Sequence, residues 1–300
     1  MQTDPRLDAV LAKLWPGREP NLVPITSGIT NANVKVEVDE EAFVVRLPGL
    51  DTDLLGIDRQ AELAATRTAA AAGVGPDVID FVDGCLVTRF VAGEPIPEED
   101  LQREDVLANV VRSIRAIHAS PPIPSTFPVF RIVERYRELA SARGVAIPKA
   151  YARAHELAMS IERAFDRSPM PVTTCHNDLL NANFLMDGEH VWIVDYEYAG
   201  MGDPFFDLGN LSINNGFTEP AQENLLRLYF RDVRETHRAR LGLMRIMSDL
   251  REAMWGVLQQ ALSTLDFDYV AYADKHFRRL EATASDEGFE RWLDDAGEPA

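Results

Sequence analysis

A chain of 300 residues, 46% of them hydrophobic, is long enough to bury a sizeable core and to divide into two lobes. Its formal net charge of -18 argues against a nucleic-acid surface, which needs a basic patch to displace counterions; it fits a cationic small substrate and, more simply, a solvated acidic face. No apolar run approaches the length needed to span a bilayer, and Cys85 and Cys175 form neither a metal-ligand spacing nor a disulfide framework, so the expectation is a soluble, cytoplasmic protein with no membrane partner.

In chain order, residues 1–14 read as an amphipathic helix started by Asp4 and Pro5, not as a signal peptide. Short, partly alternating apolar stretches follow at 22–25, 34–38, 43–47, 78–81 and 86–90, with Asp39-Glu40 and Asp83-Gly84 as turns. One helix interrupts them, from about Asp58 through an alanine-rich stretch to Gly73, with Gly75 and Pro76 as further terminators. Five strands with one helix between the third and fourth are the layout of a kinase-type nucleotide-binding lobe, here residues 1–90.

Two features of this lobe carry candidate chemistry. The T-S-G-I-T-N segment at 26–31 joins the first two strands, and the small residues Ser27, Gly28, Thr30 and Asn31 would let backbone N–H groups approach phosphates. An ordinary hairpin loop has the same composition. Arg46 on the third strand and Glu62 near the start of the helix stand where a phosphate-binding cation and its partner carboxylate belong; a surface pair is the plainer reading.

Gly93 and Pro95 punctuate a hinge at 91–97, whose backbone could meet an adenine edge. Residues 98–300 form the larger lobe. Helical patterns occupy 98–119, 130–143 and 149–167, a Pro-rich loop lies at 121–128, and helix resumes beyond residue 195 to about residue 284. The acidic tail from 285 to 300 is expected to fray.

Residues 176–195, H-N-D-L-L-N-A-N-F-L-M-D-G-E-H-V-W-I-V-D, carry the strongest signal. His176, Asp178, Asn183 and Asp195 follow the order of phosphoryl-transfer parts: an Asp that accepts the proton of the attacking hydroxyl, then an Asn and an Asp that hold magnesium. The spacing has a mechanical reason, because Asn183 opens an apolar strand, Asp187-Gly188 turns it, and 191–194 returns antiparallel. Asn183 and Asp195 then meet at the open end of one hairpin, with Asp178 on the loop feeding it. An Asp followed five residues later by Asn is common by chance; the added His176, apolar strands and Asp195 make the combination rare.

These residues resemble the choline and ethanolamine kinases, a branch of the aminoglycoside phosphotransferase and protein-kinase-like superfamily. The resemblance covers most of the chain. It is carried by 176–185, by D-Y-E-Y-A-G at 195–200 and F-D-L-G-N at 206–210, and more weakly by S-G-I-T-N at 27–31, V-V-R-L-P-G at 44–49, W-G-V-L-Q-Q at 255–260 and D-F-D-Y-V-A-Y-A at 266–273. It implies an α+β, protein-kinase-like two-lobe fold, with a small antiparallel-sheet N-terminal lobe holding one main helix and a larger, mainly helical C-terminal lobe.

The resemblance further implies ATP as phosphoryl donor, Asp178 as base and Mg2+ held by Asn183 and Asp195. It makes Asp207 a buried brace of the catalytic loop and Arg46 a phosphate ligand, and it places Glu197, Tyr198, Trp255 and Tyr272 around a substrate ammonium, where aromatic faces attract a cation. Read alone, Trp255, Tyr269 and Tyr272 would be core residues. The pattern is departed from where Asn214 and Asn215 replace a glutamate and a tryptophan, and where Leu258 replaces a second cage tryptophan. The expected activity is therefore an ATP-dependent kinase for choline, ethanolamine or a related amino alcohol, with thiamine or an aminoglycoside as alternative acceptors and a silent nucleotide-binding regulatory module as the remaining alternative.

Overall fold

The computed structural model describes residues 4–25, 31–49 and 52–299. Helix α1 (Pro5–Leu14) starts on Asp4, whose carboxylate accepts the Arg6 N–H at 2.9 Å, and it lays Leu7 and Val10 on a sheet. That sheet contains β1 (Asn21–Ile25), β2 (Ala32–Val38), β3 (Glu41–Leu47), β4 (Val78–Val82) and β5 (Cys85–Arg89) in the order β1-β2-β3-β5-β4, antiparallel throughout. The turns use Asp39 and Asp83 with positive φ, which a short acidic side chain tolerates.

Alternation along β3 positions the site. Phe43, Val45 and Leu47 join Val36, Val38, Val87 and the α1 residues in a small core, so Val44 and Arg46 point to the opposite face, toward the cleft between the lobes.

Helix α2 (Arg59–Ala71) is capped by Asp58, which accepts from the Gln60 and Ala61 N–H groups. It ends where both Val74 and Gly75 donate to Ala69 O; a Cβ on Gly75 would lie 2.5 Å from the Ala69 Cβ. Ala65 and Ala69 of α2, with Leu55, Ile57 and Val74, belong to the larger core and not to the sheet's. The helix that carries Glu62 is thereby packed into the interface between the lobes.

The 91–97 segment holds β6 (Glu94–Pro95), paired with β8 (Phe184–Asp187), which pairs in turn with β9 (His190–Ile193). Gly93 lets β6 lie close to β8: a Cβ would meet Leu185 C and Met186 O at 3.1 Å, so the strand would have to shift by a few tenths of an ångström to admit one. The larger lobe is built on α3 (Glu104–His118), α4 (Val129–Ala142), α5 (Ala150–Arg167), α6 (Pro204–Asn214), α7 (Glu219–Tyr229), α8 (Glu235–Leu262), α9 (Tyr269–Ala284) and α10 (Phe289–Ala296), with β7 (Thr173–Cys175) paired to β10 (Gly200–Gly202). The expected start of α3 at residue 98 moves to Glu104, because a short 3-10 turn at Asp100–Gln102 intervenes.

Helix α8 runs through the centre and is buried over most of its length, against α4, α6, α9 and α10. Its crossing with α6 is close because Gly209 has no side chain: a Cβ would lie 2.7 Å from the Met244 carbonyl carbon.

The expectation of a frayed tail is overturned. Residues 289–296 form a docked helix in which Phe289 and Ala296 are buried, and Arg240 of α8 donates to Ala296 O at 3.0 Å. Phe289, Trp292, Leu293 and Ala296 recur at i, i+3, i+4 and i+7, an apolar stripe masked by the acidic residues between them. Among the described residues no helix is long and apolar enough to cross a membrane.

Candidate active site

The loop bearing Asp178 leaves β7 at buried Cys175 and is clamped before and after the aspartate. Asp207 of α6 accepts the backbone N–H of His176 at 2.8 Å and of Asn177 at 2.6 Å, and it also bonds His118 Nε2 at 2.8 Å. Burial, the largest single influence, would raise the Asp207 pKa; the bond from His118, the charges of His118 and His176 and the His176 N–H together outweigh it and hold the carboxylate below its ordinary range. Beyond Asp178, the Leu179 N–H donates to Asn210 Oδ1 at 2.5 Å and Leu179 O accepts from Asn215 Nδ2 at 3.0 Å.

His176 does not face the cleft. Burial lowers its pKa and favours the neutral ring, which fits one tautomer: Nε2–H donates to Val194 O at 3.0 Å while Nδ1 accepts the Asp178 N–H at 3.2 Å. The histidine thus ties the Asp178 loop to the residue between β9 and Asp195.

The β8–β9 hairpin closes as its spacing requires, with Gly188 at φ +61° in the turn and Val194 N donating to Asn183 O at 3.0 Å at the open end. Asn183 Nδ2 donates to Asp178 O at 2.8 Å, which leaves Oδ1 as its available acceptor. Asp195, at φ +72°, places Oδ1 on Arg46. An amide oxygen and a carboxylate beside one another are the hard oxygen donors that Mg2+ takes, so the residues present fit that ion.

Burial pushes the Asp178 carboxyl up to about 8, with Glu252, Asp195 and Glu197 adding to the shift and Arg251 opposing it. For Asp195 burial acts in the same sense, but Arg46 prevails and its pKa is lowered. Two carboxylates of one site are driven apart, one toward proton acceptance near neutral pH and one toward permanent charge.

Arg46 is the hub of an ion cluster across the cleft. It pairs with Asp195, lies 3.2 Å from Glu62 and 3.9 Å from Glu197, while Arg59 bonds Glu62 at 2.8 Å and Glu197 at 3.3 Å. Asn31 joins through Nδ2 to Glu197 Oε2 at 2.7 Å and through Oδ1 to Arg59 at 2.8 Å. Asn31, Arg46 and Glu62 are therefore brought together beside Asp195; Ser27, Gly28 and Thr30 lie outside the described residues.

Glu197 stands here, with Arg46, Arg59 and Asn31, and not with the aromatic residues expected around an ammonium. Burial and the neighbouring Asp195 push its carboxyl up to about 7, opposed by Arg46. Above the cluster lies a cavity of about 520 Å³ whose apolar walls include Ile25, Val44, Leu86, Phe90 and Leu185, a size and character suited to a nucleoside.

On the other side of Asp178, Tyr198, Trp255 and Tyr272 meet. Trp255 Nε1 donates to Tyr198 Oη at 3.1 Å, and the Trp255 and Tyr272 rings cross edge to face at 5.6 Å. Trp255 and Tyr198 are buried, and Leu258 one turn on is fully so. Tyr272 donates its hydroxyl to Glu252 at 2.7 Å. Asn214 binds Arg279 at 2.9 Å and Asn215 braces Leu179, so neither asparagine supplies a cation ligand.

Arg59, Arg251 and Glu252 were not marked by the sequence, and Asn210 was marked only as the end of the F-D-L-G-N motif, without a role. Arg59 and Glu62 stand at i and i+3 on α2, which signals a pair but not its location; Arg251 and Glu252 sit in the most buried helix, where two adjacent charges are themselves a signal of a site.

With the geometry in place, the phosphotransferase enzyme family model matches residues 21–243. A choline/ethanolamine kinase family protein from Mesorhizobium loti superposes with a TM-score of 0.85 at 32% identity, covering 98% of each chain. The chain belongs to the phosphotransferase enzyme family, in its choline/ethanolamine kinase branch. Ethanolamine kinase 2 of Rattus norvegicus is 28% identical over 306 residues, 91% of this chain and 79% of that protein. The choline kinase LicA of Streptococcus pneumoniae shares the fold, with a TM-score of 0.77 at 21% identity over 92% of this chain and 98% of that one; a LicA structure is known in complex with AMP. This member of the family is a phosphotransferase with an alcohol group as acceptor.

Proposed function

We propose that this protein transfers the γ-phosphoryl group of ATP to the hydroxyl of a small amino alcohol, ethanolamine or choline. The observation that carries the reading is the placement of Asp178 between the nucleoside-sized cavity with its cationic floor and the buried group formed by Tyr198, Glu252, Trp255 and Tyr272. Phosphoryl transfer needs an acceptor hydroxyl in line with the terminal phosphate and a base beside it.

In the reaction so read, Asp178 accepts the hydroxyl proton as the oxygen forms its bond to the γ-phosphorus, and the bond from that phosphorus to the bridging oxygen of ADP breaks. Arg46 stabilises phosphate charge, and Glu62 and Arg59 hold its guanidinium in place. Asn183 and Asp195 would hold Mg2+, which neutralises charge on the phosphates and orients them. The backbone clamps on His176, Asn177 and Leu179 keep Asp178 fixed while charge develops.

The test is ADP release by the full chain with MgATP over ethanolamine, choline, thiamine and an aminoglycoside. Turnover of ethanolamine or choline well above the acceptor-free rate is expected. Turnover confined to thiamine or the aminoglycoside, or none with any alcohol, overturns the reading.

A further inference from the structure

Arg251 of α8 occupies the position where a substrate cation would meet the aromatic group beside Asp178. Its guanidinium carbon lies 4.2 Å from the centroid of the Tyr198 ring. Nη1 contacts Glu252 Oε1 at 2.5 Å and Asp178 Oδ1 at 3.4 Å. The side chain is 2% exposed, and Nε and Nη2 have no hydrogen-bond partner. A buried arginine with two unpaired N–H positions is costly to keep in a structural core.

An amino alcohol whose hydroxyl reaches Asp178 brings its nitrogen into this same space, two carbons away. There it meets two carboxylates, Asp178 and Glu252, and one resident cation, Arg251. With Asp178 ionised, as it must be to accept the hydroxyl proton, the sum is a single negative charge, so one further cation is accommodated, but only if its bonds to oxygen outweigh the repulsion of the guanidinium. A primary ammonium has three N–H donors for Glu252 and for the hydroxyls of Tyr198 and Tyr272. Burial raises the pKa of both tyrosines, so these hydroxyls stay neutral. A trimethylated nitrogen has no N–H to give and depends on aromatic faces. The Tyr198 face is already covered, and Leu258 offers none. The unpaired nitrogens of Arg251 gain nothing from methyl groups, which neither accept a hydrogen bond nor offset its charge.

We propose that Arg251 is the specificity-determining residue of the acceptor site, an internal cation that reserves it for a primary ammonium alcohol such as ethanolamine and turns choline away. The proposal rests on the amino-alcohol kinase reading above. It makes discrimination a matter of repulsion and of an occupied ring, and not of pocket width alone.

The test is kcat/KM of the full chain with MgATP for ethanolamine, N-methylethanolamine, N,N-dimethylethanolamine, choline and glycerate. For the unmodified protein the value is expected to fall with each added methyl, leaving choline at least roughly tenfold below ethanolamine. In Arg251→Met, which keeps an unbranched side chain of similar length, the choline-to-ethanolamine ratio should rise at least roughly tenfold whatever the loss in absolute rate. Arg251→Lys, which retains the charge, should keep the ratio low. Choline used as well as ethanolamine by the unmodified protein overturns this inference alone, as does a preference for the anionic glycerate or an unmoved ratio in Arg251→Met. Phosphorylation of none of the four amines overturns the functional reading and this inference with it. The methylation series on the unmodified protein decides the matter even where Arg251→Met fails to fold.

Discussion

Asp207 Oδ1 accepts the backbone N–H of Asn177 at 2.6 Å, and Asn177, at φ +67°, is the residue immediately before Asp178. A non-glycine residue held in the left-handed region persists only where its surroundings impose it. Here the second oxygen of Asp207 does so as well, through the His176 N–H at 2.8 Å. The conformation that aims Asp178, the proposed base, is thus maintained by a carboxylate about thirty residues downstream on α6.

Asp207→Asn should therefore act on fold and rate together. The amide turns an N–H2 toward donors that need an acceptor, and breaking a buried charged network of this kind costs about 3–5 kcal/mol. The expected result is a Tm drop on the order of 10 °C and a fall of at least roughly tenfold in kcat, read by thermal denaturation and steady-state assay. An unchanged Tm would remove Asp207 as the brace.

Asp178 and Asp195 should separate cleanly. Asp195→Ala removes the carboxylate proposed for the metal and the main partner of Arg46, and it is expected to abolish transfer while circular dichroism remains native. Asp178→Asn is expected to lower kcat by roughly 10² to 10⁴ with little change in KM for ATP, as for loss of a general base. Near-normal turnover of either purified variant would sink the assignment.

The reasons some of this was legible in the sequence, and some not, are physical. The β8–β9 hairpin and its two ends are local: strand, turn and strand within a dozen residues oblige Asn183 and Asp195 to meet. Helix α2 announced both its ends through Asp58 and Gly73, and Asp207 lay in a motif that the family resemblance carried. What was illegible depends on long-range packing. Glu197 follows Asp195 by two residues, yet the turn after β9 sends Tyr198 toward α8 and Glu197 toward Arg46 and Arg59, and no local pattern encodes that parting. Arg251 and Glu252 were hidden because the burial of α8 comes from four other helices. The stripe of α10 was concealed by acidic composition.

The raised pKa of Asp178 carries a stability consequence whose sign is fixed. Burial pushes the folded-state value up to about 8, above the unfolded carboxylate range near 4. Between those values the folded protein binds the proton more tightly than the unfolded chain, so this group's contribution declines as pH rises. Asp178→Asn removes the titration. The Tm advantage of the variant over the unmodified, metal-free protein should accordingly grow from pH 5 to pH 8, measured by thermal denaturation in matched buffers. A difference independent of pH would show that Asp178 is ionised throughout in the folded state.

Glu197 provides the sharpest separation between the expected and the observed placement. Its Oε2 accepts from Asn31 at 2.7 Å and from Arg59 at 3.3 Å, and Arg46 lies 3.9 Å away. Asn31 and Arg46 line the cavity and Arg59 is tied to Asn31, whereas the carboxylate among the aromatic residues is Glu252. Glu197→Gln keeps the shape and removes the charge that holds the two arginines at their present spacing. Loss of about 1 kcal/mol of that support corresponds to roughly a fivefold rise in KM for ATP, accompanied by a higher magnesium requirement. KM for the amino alcohol should stay within experimental error, because among the described residues the Glu197 carboxylate bonds Asn31 and Arg59 and pairs with Arg46, and makes no hydrogen bond to Tyr198, Trp255 or Tyr272. Steady-state titration of both substrates on the one variant settles the placement: a selective rise in the KM of the alcohol would return Glu197 to the ammonium side and leave Arg46 and Arg59 without their proposed anchor.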